Sequence, residues 1–461
     1  MIGTKFEGKR VVILGLGIEG LSSLKFFAKT KASVSVRDQK EEKDLERSFL
    51  SEAKKYTQDF TLGPNYLLNL QEFDMIVRSP GLRPDLPEIL EATSAGTRLT
   101  SNTKLFFDFC PGTIIGVTGT KGKGTTAALI FEMLKKAGRK VFIGGNIGTP
   151  PLDFLDQLSE ESWAVLEISS FQLIDMNTSP GIAVVLMVAS EHLDWHKSSG
   201  EYIKAKTNIL LHQKEQDFAV VNVDHPISEG FAKLSKGHKL LVSLFKEQNP
   251  GVYLKGEVLL RSYAGKIEEI LPVKDVFLRG RHNLENIAAA AAASTVVGVS
   301  VNDIASVARE FKGLPHRLEF VGEVAGVKYY DDSFSTTPET AIAAIRSFSE
   351  PLIVILGGSE KGSDYTDLGS VVRGTRNIKG VILIGDTASK IEAEIMSISG
   401  FAGKIIKGGA TVQEIITNAR SLAESGDIVL LSPACASFGL FKNYKDRGEQ
   451  FKGVVNSLEG V

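Results

Sequence analysis

The chain has 461 residues, 43% of them hydrophobic, enough for two or three domains with their own cores. Its 53 lysines and arginines balance 55 acidic residues to a formal net charge of -2. That excludes a field that steers nucleic acid, so any anionic ligand must be held locally by loops and single basic residues. The two cysteines, Cys110 and Cys435, lie far apart without metal-like spacing, which excludes a disulfide framework and points to a reducing compartment.

The first seventeen residues contain no sustained apolar run with a cleavage site, so a cytoplasmic location without membrane association is expected. Residues 11–15 read as a buried strand, 21–29 as a helix and 33–36 as the next strand. The pattern restarts with a strand at 112–117 and a helix at 129–136, then strands at 164–168, 182–188 and 218–222. Residues 236–276 look like short strands that the pattern does not order, and the alanine run 288–293 reads as helix. A third start gives strands at 352–356, 381–384 and 428–431. This βα alternation defines a mostly parallel α/β protein. Glycine and proline punctuate it near residues 107–112 and 313–316, where domain boundaries are expected.

Two glycine-rich loops follow strands. Gly15-Leu16-Gly17-Ile18-Glu19-Gly20 opens a helix, and Asp38 ends the next strand, the spacing of a dinucleotide fingerprint. Helix N-terminal amides suit an anion there. The loop alone leaves NAD or FAD, another nucleotide diphosphate and a structural turn open, and the Glu19 carboxylate is unfavourable for an anion. Thr118-Gly119-Thr120-Lys121-Gly122-Lys123-Gly124-Thr125-Thr126 is a stronger phosphate loop, with Lys123 placed to neutralise charge on a transferred phosphoryl group. It departs from the strict pattern at Val117, in place of a glycine, and at Gly124, in place of a magnesium-binding hydroxyl that Thr125 is expected to supply. Downstream, Glu167 ends a strand, and His192 and Asp194 follow another. Strand ends are where parallel sheets gather ligands, so Glu167 and His192 are expected to meet one magnesium ion. Histidine is an atypical ligand for it, and a satisfied polar histidine is the blander reading.

In eleven segments in the same order, the sequence resembles the Mur ligases, and among them the members that add glutamate. The segments span 15–20, 119–126, 144–148, 166–172, 191–194, 202–206, 280–286, 313–317, 331–333, 356–361 and 431–437. The resemblance implies three domains: residues 1–107 Rossmann-like and UDP-binding, 108–314 a central P-loop ATPase, and 315–461 Rossmann-like and amino-acid-binding. It implies ATP and magnesium as cofactors and UDP-N-acetylmuramoyl-L-alanine and glutamate as substrates, in a monomer without nucleic-acid or membrane partners. Its catalytic set would be Lys123, Glu167, His192 and Lys206, the last carbamylated. ATP would meet Gly119 to Thr126, that is Gly119, Thr120, Lys121, Gly122, Lys123, Gly124, Thr125 and Thr126, with Asn283, Arg317 and Asp332. Magnesium would meet Thr125, Glu167, His192 and carbamylated Lys206.

The UDP substrate would touch Gly17, Ile18, Glu19, Asp38, Ser79, Asn146, Ser170, Gln172 and His192, and glutamate would touch Thr336, Lys361, Ser437 and Tyr444. One departure is Phe334, where members adding D-glutamate carry a lysine, which leaves L-glutamate open as the alternative. A folylpolyglutamate synthase-like ligase, an NAD-dependent oxidoreductase built on the first loop, and a non-catalytic nucleotide-binding regulator are the rival readings. The implied chemistry is phosphoryl transfer to a carboxylate and then attack by an amine, which needs positioning and charge neutralisation but no protein nucleophile.

Overall fold

The computed structural model describes residues 4–458, except 147, 190, 192–194, 361, 399 and 438–440. Two compact units divide the chain: residues 1–276 with 285–309, and residues 277–284 with 310–461. The first unit holds two sheets and the second holds one, so three α/β domains are present. The long helix Arg281–Val296 begins in one unit and continues in the other.

The first sheet contains β1 (Arg10–Leu14), β2 (Ser33–Asp38), β3 (Phe60–Leu62), β4 (Met75–Arg78) and β5 (Arg98–Ser101). All are parallel, in the order β3-β2-β1-β4-β5. Side-chain alternation along β1 sends Val11 and Ile13 into one apolar cluster and Val12 and Leu14 into another on the opposite face. Strand order reverses between β1 and β4, and such a switch point opens a crevice at the carboxyl ends of the strands.

The second sheet contains β6 (Thr113–Thr118), β7 (Val141–Gly145), β8 (Trp163–Glu167), β9 (Ile182–Val185) and β10 (Phe218–Asn222). It continues through β11 (His238–Ser243), β12 (Gly251–Lys255), β13 (Val258–Tyr263) and β14 (Lys266–Pro272). The order is β14-β13-β12-β11-β10-β9-β6-β8-β7, parallel except for the β12–β13–β14 meander. Residues 236–276, left unordered by sequence, are thus four strands at the sheet edge. The run Ala288–Ala293 is fully buried within its helix; methyl side chains let that helix pack closely. The first two domains share one apolar cluster, where Phe106 meets Phe154 edge-on at 5.5 Å.

The third sheet contains β15 (Glu319–Val324), β16 (Val327–Asp331), β17 (Leu352–Gly357), β18 (Ile378–Ile384), β19 (Lys404–Lys407) and β20 (Ile428–Leu431). Its order is β15-β16-β20-β17-β18-β19, antiparallel only at β15–β16. Val354 and Leu356 face one core and Ile353 and Ile355 the other. Both faces are covered, which explains the unbroken apolar strands read from the sequence.

Two expected elements differ in extent. The helix expected from residue 129 begins at Lys123, so Gly124, Thr125 and Thr126 form its first turn rather than a loop. The strand expected to reach residue 188 stops at Val185. Beyond it the Met187 carbonyl accepts from the Thr120 amide at 2.7 Å, so the chain leaves the sheet to hold the phosphate loop.

Candidate active site

The loop after β1 is built for close packing. Gly15 has φ +95°, and a Cβ on Gly20 would stand 2.0 Å from the Gly15 carbonyl oxygen. The Ser79 hydroxyl, just past β4, donates to that same carbonyl at 3.1 Å. Buried Asp38 accepts from the Leu16 amide at 2.7 Å and the Lys40 amide at 2.9 Å, so it fixes the loop. Gly17 precedes the helix Ile18–Ala28, and Ile18 is exposed. The structure therefore gathers Gly17, Ile18, Glu19, Asp38 and Ser79 around one switch-point crevice.

Glu19 is half-buried and accepts from Gln172 Nε2 at 2.7 Å, while its buried Oε2 has no hydrogen-bond partner among the described residues. Burial lifts its carboxyl to about 7, against the Gln172 bond and the Arg78 charge. Gln172 also closes a capping box with Ser169 at the start of the helix Ser170–Leu173. One side chain thus joins the first two domains.

A second contact between these domains escaped the sequence reading. Arg78, fully buried at the end of β4, donates to Asp175 at 2.5 Å and to the carbonyls of Phe171 and Leu82 at 2.9 and 3.0 Å. Arg83 pairs with Asp85 and Glu201, both at 2.8 Å. These bonds hold Glu201 down to about 2. Glu201 meets His196 Nδ1 at 3.3 Å, and His196 Nε2 meets the Ser170 hydroxyl at 3.0 Å. The only sequence signal was charge beside apolar runs, which does not identify partners. His196 lies two residues past the segment 191–194, whose His192 and Asp194 lie outside the described residues.

The phosphate loop links β6 to the helix Lys123–Lys136. Gly122 has φ +84°, and a Cβ there would approach Asn286 Oδ1 to 2.2 Å. Thr120 Oγ1 donates to the Ala189 carbonyl at 3.0 Å and accepts from the Ala189 amide at 2.9 Å, with Tyr202 OH at 3.0 Å. Lys121 pairs with Glu191 at 2.5 Å. The Lys123 ammonium donates to the Thr120 carbonyl at 2.9 Å. Thr125 and Thr126 are buried, and Thr126 Oγ1 has no partner among the described residues.

Glu167, 3% exposed, accepts from Asn146 Nδ2 at 3.0 Å, and its second oxygen has no hydrogen-bond partner among the described residues. Lys206, 1% exposed, donates to the Gly119 carbonyl at 2.9 Å. Burial and the Lys123 charge lower its pKa well below the usual lysine value, against Glu191 and Glu167. An unpartnered buried carboxylate oxygen beside the phosphate loop is the donor chemistry that magnesium takes. Lys123, Glu167 and Lys206 are therefore brought together, with Asn146, Ser170 and Gln172 on the adjoining strand-end segments.

In the second unit, Asn283 donates to the Arg279 carbonyl at 2.7 Å. Asp332 accepts from Ser335 at 2.5 Å, Ser432 at 2.7 Å and the Leu318 amide at 3.1 Å. Burial lifts its carboxyl to about 7 despite these donors. The Arg317 guanidinium lies 3.8 Å from the Phe334 ring centroid, and Tyr444 meets that ring edge-on at 5.1 Å. Ser437 is buried and Thr336 half-buried, while Lys361 lies outside the described residues. Arg447, also missed from sequence, is buried and donates to the Ser333 carbonyl at 2.8 Å and the Cys435 carbonyl at 3.2 Å. Burial lowers it to about 10. His316, Glu319 and Asp331 have the grouping of a metal site. However, His316 bonds Asp331 at 2.7 Å and Lys452 bonds Glu319 at 3.3 Å, so protein side chains already meet these carboxylates.

Taken together, these features define a multidomain α/β nucleotide-binding protein with a phosphate loop at the central switch point. Family models match the chain at residues 9–101 (Mur ligase MurD-like, N-terminal domain), 117–294 (Mur ligase middle domain) and 316–435 (Mur ligase, glutamate ligase domain). The chain belongs to the Mur ligase family. It is 39% identical over 459 residues to the UDP-N-acetylmuramoylalanine–D-glutamate ligase of Ruminiclostridium cellulolyticum, covering 98% of this chain and 97% of that one. The enzyme of the same name from Acetivibrio thermocellus is 40% identical, covering 99% and 98%. The fold is shared with UDP-N-acetylmuramate-alanine ligase MurC from Thermotoga maritima, with TM-score 0.59, 15% identity and 97% and 99% coverage. It is also shared with the Thermotoga maritima MurF ligase solved with ADP, with TM-score 0.57, 19% identity and 98% and 96% coverage.

Proposed function

We propose that this chain is an ATP-dependent, ADP-forming ligase that joins D-glutamate to the alanyl carboxylate of UDP-N-acetylmuramoyl-L-alanine, a step in making peptidoglycan precursors. The observation that carries the reading is the cluster of Lys123, Glu167 and Lys206 against the phosphate loop, together with near-full-length similarity to ligases of that name. No helix among the described residues is long and apolar enough to cross a membrane, which agrees with a precursor step on a water-soluble nucleotide. We assign residues 1–107 to the UDP moiety, 108–314 to ATP and 315–461 to glutamate, in a monomer.

In this reading the alanyl carboxylate attacks the γ-phosphorus of ATP, ADP leaves, and an acyl phosphate forms. The glutamate amine then adds to the acyl carbon, and phosphate leaves as the amide forms. Phosphorylation is needed because oxide is a poor leaving group. Lys123 and the loop amides neutralise charge on the transferred group, and no protein nucleophile takes part. Magnesium would be held by Glu167, by the Thr125 hydroxyl in place of the one missing at Gly124, by His192, and by Lys206 once carbamylated. When bound it supplies charge neutralisation at the phosphates. The lowered Lys206 pKa favours the neutral amine that carbon dioxide requires. We further assign Gly17, Ile18, Glu19, Asp38, Ser79, Asn146, Ser170 and Gln172 to the UDP substrate. Asn283, Arg317 and Asp332 go with ATP, and Thr336, Lys361, Ser437 and Tyr444 with glutamate.

The stereochemistry rests on the names of the relatives, and Phe334 is the feature that keeps L-glutamate as the second reading. Phosphate release with ATP, magnesium and the UDP-sugar, supplied in turn with D- and L-glutamate, tests both. Release with D-glutamate alone supports the proposal, release with L-glutamate alone replaces it by the second reading, and release with neither rejects the substrates.

A further inference from the structure

Arg317 sits in a stretch of backbone that is held under strain. His316 and Leu318 on either side of it have φ +65° and +46°, a region that is costly for non-glycine residues and persists only where surroundings enforce it. Here they do. The Phe334 amide donates to the His316 carbonyl at 2.9 Å, and the Leu318 amide donates to Asp332 at 3.1 Å. The segment that carries Phe334 is itself tied down, because Arg447 donates to both Ser333 oxygens, at 2.9 and 2.8 Å. Ser333 Oγ in turn donates to the Tyr444 carbonyl at 2.7 Å. The Phe334 ring therefore has a fixed seat, one face 3.8 Å from the Arg317 guanidinium and Tyr444 against it edge-on.

We propose that Phe334 is a positioning residue for Arg317, an aromatic shelf that fixes the guanidinium for nucleotide binding. This role needs no contact between Phe334 and the incoming amino acid. A guanidinium over an aromatic face is attracted to the ring's negative quadrupole and loses rotamers it would otherwise sample. Phe334 is 37% exposed, so the ring serves little as core and its replacement spares the fold. A lysine at this position would set a second cation beside Arg317. The inference rests on the proposed role of Arg317 toward ATP.

The test is equilibrium binding of the nonhydrolysable ATP analogue AMP-PNP, with magnesium, to the intact chain. It compares wild type, Phe334→Leu, Phe334→Tyr, Phe334→Lys, Arg317→Ala and the double variant Phe334→Leu with Arg317→Ala. Loss of the shelf weakens binding about two- to thirtyfold in Phe334→Leu and more in Phe334→Lys, while Phe334→Tyr retains wild-type affinity. In the Arg317→Ala background, Phe334→Leu has no further effect, which a general loss of structure would not produce. The KM for glutamate stays unchanged in Phe334→Leu. Unchanged nucleotide affinity with a raised glutamate KM, or equal weakening in both backgrounds, overturns the proposal. A wild-type chain that binds no AMP-PNP rejects the ATP reading itself, a result distinct from either.

Discussion

Replacing Arg78 by methionine breaks the deepest ionic contact between the first two domains. The Arg78 side chain is 0% exposed and that of Asp175 16%, so water does not replace the lost partner. The substitution strips the donors from the carbonyls of Phe171 and Leu82 and leaves Asp175 with Lys104 alone, at 3.5 Å. Breaking a buried pair from one side costs about 3–5 kcal/mol, and because Lys104 remains, the lower end, about 3 kcal/mol, is expected. Urea unfolding at neutral pH reads this as a shift in midpoint at constant slope. Adding Asp175→Asn to Arg78→Met is expected to recover part of the loss, since it removes the stranded charge. A loss below about 1 kcal/mol, the level of an exposed pair, would refute the reasoning. Acid supplies a second arm. Burial pushes the Asp175 carboxyl up, but Arg78 and Lys104 outweigh it and hold the group below its ordinary value of 3.8. Its stabilisation is therefore complete above that value and is lost as pH falls through the lower folded value, a dependence that Arg78→Met should abolish.

Other outcomes follow from the same residues. Glu19, raised from 4.5 to about 7 by burial, stabilises the fold fully below pH 4.5 and loses that contribution as pH rises through 7. Glu19→Gln should then gain on wild type by up to about 3 kcal/mol between those limits, measured by denaturation across pH; a constant difference would reject a buried, titrating carboxyl. Lys206 has a lowered folded pKa, so the wild type gains stability as pH rises from the folded value toward 10.5, and Lys206→Met should flatten that rise while abolishing turnover. Glu167→Gln should lower turnover by about a hundredfold or more and raise the magnesium concentration needed for half-maximal rate; an unchanged magnesium dependence would count against Glu167 as a ligand.

Strand-end glycines and apolar runs carried most of the architecture in the sequence, because parallel strands buried on both faces read as unbroken apolar runs. The two glycine-rich loops were legible as well: Gly15 and Gly122 sit where φ is positive, ahead of helices that begin at Ile18 and Lys123. What the sequence did not disclose were partners distant along the chain. Arg78 with Asp175, and Arg83 with Glu201 and then His196 and Ser170, are set by how two domains meet. Asp38 and Gln172 were read as ligand contacts, and in the structure each holds backbone, at Leu16 and Ser169. Phe334 was read as a missing cation, and its contact with Arg317 could not be read from the sequence. The edge meander of β12 to β14 lacked the βα rhythm and so carried no ordering signal.

The central claim is that the substrate carboxylate takes the γ-phosphoryl group before the amine attacks. UDP-N-acetylmuramoyl-L-alanine labelled with heavy oxygen in the alanyl carboxylate, turned over with ATP, magnesium and D-glutamate, tests it by mass analysis of the phosphate released. An acyl-phosphate route predicts one labelled oxygen in that phosphate for each amide formed. Unlabelled phosphate accompanying amide formation would contradict it.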